Sequence, residues 1–97
     1  MIPSVSLEAE RELIDGARFY AQEANADLGL AFIAEFERSI GVLCTYPRLG
    51  PVWRGGARRL PLRRFPYSII YQLKPEEIRI IALAHQSRRP GYWRGRK

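Results

Sequence analysis

Tyr67-Ser68-Ile69-Ile70-Tyr71-Gln72-Leu73, a turn at Lys74-Pro75-Glu76, and then Ile78-Arg79-Ile80-Ile81-Ala82-Leu83-Ala84 read as two strands of one antiparallel hairpin. The first run is rich in β-branched and aromatic residues, which fit a pleated surface. The second alternates and then becomes continuously apolar, as a strand covered on both faces does. Upstream, Ala57–Arg64 carries Leu60 and Leu62 in alternation and predicts a third strand, with Pro61 suited to an edge. Between the sheet and what precedes it, Pro47 to Gly56 holds two prolines and three glycines and reads as a loop.

Further upstream the apolar period changes from two to 3.6. Leu13, Ala17, Tyr20 and Ala24 mark one face of a helix, with Ser6 as N-cap and Glu8 and Glu10 in its first turn. Gly16 interrupts that helix at a cost of about 1 kcal/mol against Ala, which suggests that a neighbouring helix approaches closely there. Leu28, Phe32, Phe36, Ile40 and Leu43 mark a second helix from Ala26 to Cys44, capped by Asn25 or Asp27 and ended by Pro47 and Gly50. The short join predicts an antiparallel helical hairpin, with its acids facing water. Val5 heads a short first strand. The expected fold class is α+β: an N-terminal helical hairpin packed on a small antiparallel sheet.

Ninety-seven residues leave room for one domain, residues 1–97. Its expected parts are a hairpin over 7–45, a loop over 46–56, a sheet over 57–85 and a basic, aromatic segment over 86–97. No apolar run approaches the roughly 20 residues of a membrane span, and no signal-peptide pattern is visible. Cys44 is the sole cysteine and His85 the sole histidine, so neither an internal disulfide nor a standard zinc site is expected. No cofactor is expected, and a reducing cytoplasm fits.

Charge divides the chain where the periodicity does. Residues 1–46 carry a net −5 and residues 47–97 a net +11. Fourteen of the 16 basic residues are arginine. Arginine suits bidentate recognition of phosphate or carboxylate, and a GC-rich coding sequence enriches it without any function; composition leaves both open. The asymmetry points to a basic face that meets an anion, either nucleic acid or an acidic protein.

The densest chemistry follows the last strand. His85, Arg88, Arg89 and Tyr92 could supply a proton carrier and phosphate-holding cations for metal-free RNA cleavage. Arg58, Arg59, Arg63, Arg64, Trp93 and Arg94 extend the expected anion-facing or target-facing set. The bland readings stand beside these. His85 also reads as a structural residue at a strand end, Tyr92 and Trp93 as packing against the sheet, and Arg94–Lys97 as a solvated tail.

Three segments in order carry a resemblance: Arg64-Phe65-Pro66-Tyr67-Ser68-Ile69-Ile70-Tyr71, Ile78-Arg79-Ile80-Ile81-Ala82-Leu83-Ala84-His85, and Arg88-Arg89-Pro90-Gly91-Tyr92-Trp93. With two acidic helices and Tyr46-Pro47 ahead of them, the chain resembles the RelE/ParE superfamily of type II toxin–antitoxin toxins over nearly its whole length. Plasmid-stabilisation proteins of the ParE type are the more similar in ordering. The resemblance implies one of two poisons: ParE-like inhibition of DNA gyrase, or RelE-like ribosome-dependent cleavage of mRNA. The nuclease pattern favours several lysines, and a related group uses a glutamate. No lysine precedes Lys74 here and no matching glutamate is present, so gyrase inhibition is the first expectation. The alternative of another class is a non-toxic nucleic-acid-binding module. The implied partner is an acidic antitoxin, disordered alone, expected to lay an apolar helix face beside Leu28, Phe32 and Phe36; no membrane partner is expected.

Overall fold

The computed structural model describes residues 1–97. Its elements in chain order are β1 (Ile2–Val5), α1 (Leu7–Glu23), α2 (Ala26–Thr45), a short 3₁₀ turn (Arg54–Gly56), β2 (Arg58–Pro61), β3 (Tyr67–Leu73) and β4 (Glu77–His85). The two helices form a hairpin on one face of a four-stranded sheet of order β1-β4-β3-β2. The architecture is α+β, with β4-β3-β2 antiparallel as expected.

Capping chemistry sets the helix starts. Ser6 accepts the Ala9 N–H at 3.1 Å and Asn25 accepts the Leu28 N–H at 2.9 Å, each satisfying an orphan donor worth about 1 kcal/mol. Of the two caps foreseen for the second helix, Asn25 takes the role. Gly16 does permit a close approach: a Cβ there would sit 2.6 Å from the Phe32 ring. Gly29 serves the same contact from the other helix, where a Cβ would meet the Ala17 carbonyl oxygen at 2.7 Å.

The first strand is longer than its expected beginning at Val5. It spans Ile2–Val5 and pairs with β4 in parallel, in register Ile2↔Glu77 to Val5↔Ile80. A parallel neighbour 75 residues away has no local turn signal, so only the apolar residues of the strand itself could announce it. The third strand is shorter than Ala57–Arg64. It stops at Pro61, and the chain bends so that the Leu62 N–H donates back to the Tyr67 carbonyl at 2.9 Å. Pro61 lies on an outer strand of the sheet, where a missing ladder donor is tolerated.

A bulge in β4 organises everything downstream. Ile70 pairs with Ala82 and Tyr71 with Ile80, which leaves Ile81 as the extra residue. Before it, Ile78 and Ile80 pack into the helix-side core with Phe32, Phe36, Leu43, Ile69 and Tyr71. After it, Leu83 returns to that side, while Ile81 and Ala82 join Ile70, Ala57 and Trp93 on the opposite face. The continuously apolar run therefore has a cause: helices cover one face and Trp93, 3% exposed, covers the other.

Candidate anion-binding and target-binding face

The segment after β4 is a succession of turns. The N–H groups of Arg88, Tyr92, Arg94 and Arg96 donate to carbonyls three residues back at 3.0–3.2 Å. Gly91 and Gly95, with φ of 80° and 85°, supply the left-handed positions that this path requires. The path seats Trp93 on the sheet and brings Tyr92 and Arg96 to the edge of β4.

That edge needs partners, because β1 ends opposite Ile80 while β4 continues to His85. Glu12 of α1 supplies one: its Oε1 accepts the Leu83 N–H at 3.1 Å. Arg96 Nη1 donates to the Ile81 carbonyl at 3.1 Å and to Glu12 Oε1 at 2.8 Å. The Tyr92 hydroxyl donates to Glu12 Oε2 at 2.5 Å. Burial, and then the Glu12 hydrogen bond and charge, push the Tyr92 phenol well above the usual range. Residues 94–97 are thus not a free tail throughout: Arg96 is a structural cation, while Arg94 and Lys97 stay exposed.

Beside Trp93 the open face holds a cleft of about 200 Å³. Arg59, His85, Arg88 and Arg89 line it together with the aromatic faces of Trp53, Tyr92 and Trp93, and no carboxylate does. Arg59 Nε donates to Ser68 Oγ at 3.2 Å, and its guanidinium lies 4.9 Å from the Trp53 ring centroid. Arg88 stacks 3.9 Å over Tyr92. Of the chain's 16 basic side chains only Arg38 and Arg96 are ion-paired, so the cleft arginines keep their charge for a partner.

His85 closes the end of this cleft and edges onto a second one, of about 360 Å³, against α1. Its ring meets Tyr67 edge-on at 4.9 Å. His85 Nδ1 accepts the Ser87 N–H at 3.0 Å and lies 2.7 Å from Ser87 Oγ. An Nδ1 that accepts leaves the neutral ring's proton on Nε2. Neither nitrogen then holds a free lone pair for a substrate hydroxyl.

The other expected site residues separate. Arg58 turns to the helix side of the sheet and donates to the Gly50 carbonyl at 2.9 Å, away from the face that Arg59 lines. Arg63 and Arg64 stand exposed in the bend after β2, with Arg64 at φ 69°. Trp93 is spent on the core and presents little surface. The expected antitoxin groove at Leu28, Phe32 and Phe36 is corrected by burial: Phe32 is 0% and Phe36 3% exposed, and Leu28 is half-buried, so that stripe is core.

Sequence reasoning passed over Glu12, Glu35, Trp53 and Arg96. Glu12 and Glu35 were expected to face water with the other helix acids. Their spacing carried a signal, since Glu12 lies between Ala9 and Gly16, and Glu35 beside Phe32 and Ser39, all buried. Glu35 accepts Arg38 Nε at 2.8 Å and the Arg63 backbone N–H at 2.7 Å. Those contacts, the Arg38 hydrogen bond foremost, hold its carboxyl at about 2. No three His, Cys, Asp or Glu side chains converge as a metal site would require, and no helix is long and apolar enough to cross a membrane.

A helical hairpin on a four-stranded sheet, closed by a basic and aromatic C-terminal strap, is the fold of the RelE/ParE toxins. A solved structure described as the chromosomal ParDE TA system from P. aeruginosa superposes with a TM-score of 0.78 at 22% identity, covering 88% of this chain and 95% of that one. The family model for the ParE toxin of the type II toxin–antitoxin system, parDE, matches residues 4–90, and the chain belongs to that family. No curated protein matches.

Proposed function

We propose that this chain is the toxin of a ParDE-type pair, that it poisons DNA gyrase in the cytoplasm by binding rather than by cleaving RNA, and that an acidic antitoxin neutralises it. The observation that carries the choice is the engagement of both candidate proton carriers. His85 Nδ1 is occupied by Ser87, and the Tyr92 hydroxyl is given to Glu12. A nuclease needs a base for the 2′-hydroxyl and an acid for the leaving oxygen; here the His85 Nδ1 lone pair and the Tyr92 hydroxyl are both engaged within the chain, and only the Nε2–H is left without a partner. What it offers is unpaired guanidinium groups beside an exposed indole, a surface for phosphate or carboxylate.

Induced expression in a bacterial host tests the reading. Gyrase poisoning gives filamentous cells with an SOS response, and purified protein inhibits supercoiling by gyrase. Rapid arrest of protein synthesis with cut transcripts moves the activity to the ribosome. In that case His85→Ala lowers cleavage by about 10²–10⁴-fold, the range for a positioned acid or base. Normal growth with folded protein present leaves only a non-toxic binding module.

A further inference from the structure

The largest open groove lies at the other end of the sheet from the basic cleft, where the C-terminal end of α2 meets the β3–β4 turn. It measures about 770 Å³. Its apolar wall is Tyr46, Pro47, Leu49, Leu73 and Pro75, and its cations are Arg48 and Lys74. Tyr46 is 64% exposed and Leu49 52%, among the more exposed large apolar side chains of the molecule. Neither cation is ion-paired, and no carboxylate lines the groove, Glu76 next to Pro75 included. The groove thus sets exposed apolar side chains beside unpaired positive charge, the complement of an acidic amphipathic segment.

We propose that this groove is the seat of an acidic, amphipathic segment of the antitoxin. The inference rests on the partner reading above and adds the place. The volume lies in the range of about 300–1,000 Å³ typical of ligand pockets, enough for a few large apolar side chains projecting from one face of a helix. Carboxylates flanking those side chains would meet Arg48 and Lys74, and no acid on the toxin side would oppose them. The stripe of α2 offers no competing seat, because Phe32 and Phe36 are buried in the toxin's own core. The groove is also separate from the cleft of Arg59, Arg88 and Arg89, since the two share no lining residue. An antitoxin anchored here would keep its apolar anchor clear of the basic cleft.

The test is the affinity of the toxin for the product of the adjoining reading frame, co-expressed and purified with it, for the wild type and three variants. Leu49→Asp should weaken binding by 10-fold or more, since a buried apolar anchor is replaced by a charge. The double variant Arg48→Glu/Lys74→Glu should weaken it severalfold and flatten its dependence on salt. Leu30→Asp, on an exposed stretch of α2 far from the groove wall, should leave it unchanged. In the wild-type complex, amides near residues 46–49 and 73–74 should gain protection from hydrogen exchange, a readout that does not depend on any variant folding. Wild-type affinity in both groove variants, with no protection there, overturns the groove and leaves the pairing intact. No binding by the wild type overturns the pairing and the groove with it.

Discussion

The Tyr92 hydroxyl donates to Glu12 Oε2 across a sequence separation of 80 residues, and that contact ties the C-terminal strap to the first helix. Glu12 thereby does two jobs, since its other oxygen accepts both the Leu83 N–H and Arg96. Where β1 is too short to complete the edge of β4, a carboxylate and a guanidinium take over the ladder. The strap then sets Arg88 over the Tyr92 ring at the mouth of the basic cleft. Satisfying the edge of β4 and building the basic cleft are one event.

Removing this tie should loosen the strap. Tyr92→Phe deletes a hydrogen bond to a charged acceptor and should cost about 1.5–3 kcal/mol in urea unfolding. Glu12→Ala strands the Leu83 N–H and the Arg96 guanidinium as well and should cost more. The sign with pH follows from the raised Tyr92 phenol. Its contribution is complete below about pH 10, the unfolded value, and is lost as pH rises beyond it. The urea midpoint should fall as pH rises from about 10 to 12, less steeply in Tyr92→Phe. An equal slope in wild type and variant would assign the decline to Tyr20, Tyr67 and Tyr71, whose phenols burial also raises.

Local periodicity made the two helices, β3 and β4 legible, because each carries its own apolar pattern and boundary residues. What escaped is non-local. The parallel pairing of Ile2–Val5 depends on a strand 75 residues on. The bulge at Ile81 turns Ile81 and Ala82 to the face that Trp93 covers, and no local residue pattern states that. Arg58 and Arg59 are adjacent arginines in sequence, yet the pleat sends them to opposite faces, so only Arg59 reaches the cleft. Summed charge marks residues 47–97 as basic but does not say which of their arginines are free of partners.

Acid should act on a different residue. Glu35 titrates at about 2, chiefly because Arg38 hydrogen-bonds it, with the Arg63 N–H assisting. A lowered carboxyl contributes stability that is complete above 4.5, the unfolded carboxyl's value, and is lost as pH falls toward 2. The bend after β2 hangs on this group, so Glu35→Gln should flatten the acid limb of stability between pH 4.5 and 2. At neutral pH it should cost about 1–2 kcal/mol, a figure reduced for the exposed side of the Arg38 pair. Urea midpoints measured across that range decide it. An unchanged acid limb would separate Glu35 from the pH dependence.

The two glycines of helical interior that differ most in surroundings give opposite signs. Gly16→Ala places a methyl group 2.6 Å from a Phe32 ring atom and 3.2 Å from the Tyr67 hydroxyl. The helix hairpin must open to admit it, at a cost of about 1–3 kcal/mol. Gly41→Ala meets nothing within 4 Å on the exposed side of α2 and should stabilise by about 0.5–1 kcal/mol through helix propensity alone. Thermal melts of both variants check the pair, and a stabilised Gly16→Ala would mean that the helices are not packed as closely as described.

Arg59, Arg88 and Arg89 line the cleft with no carboxylate partner, and Trp53 offers an exposed indole beside them. Because these cations stabilise nothing within the chain by ion pairing, their replacement should spare the fold. Arg88→Ala/Arg89→Ala should abolish growth arrest at equal expression while the melting temperature moves by no more than a few degrees. Arg59→Ala should weaken toxicity less, since Ser68 and Trp53 already hold its guanidinium. Arg58→Ala is the contrasting case: it loses bonds to the Gly50 and Arg48 carbonyls, so its effect should appear in stability first. His85→Ala should leave toxicity within about twofold, because a residue that carries no proton in the poisoning step contributes only to the shape of the cleft. Growth curves with matched immunoblots and melts separate these outcomes. Full toxicity in Arg88→Ala/Arg89→Ala would remove the basic cleft from target binding, whatever the target.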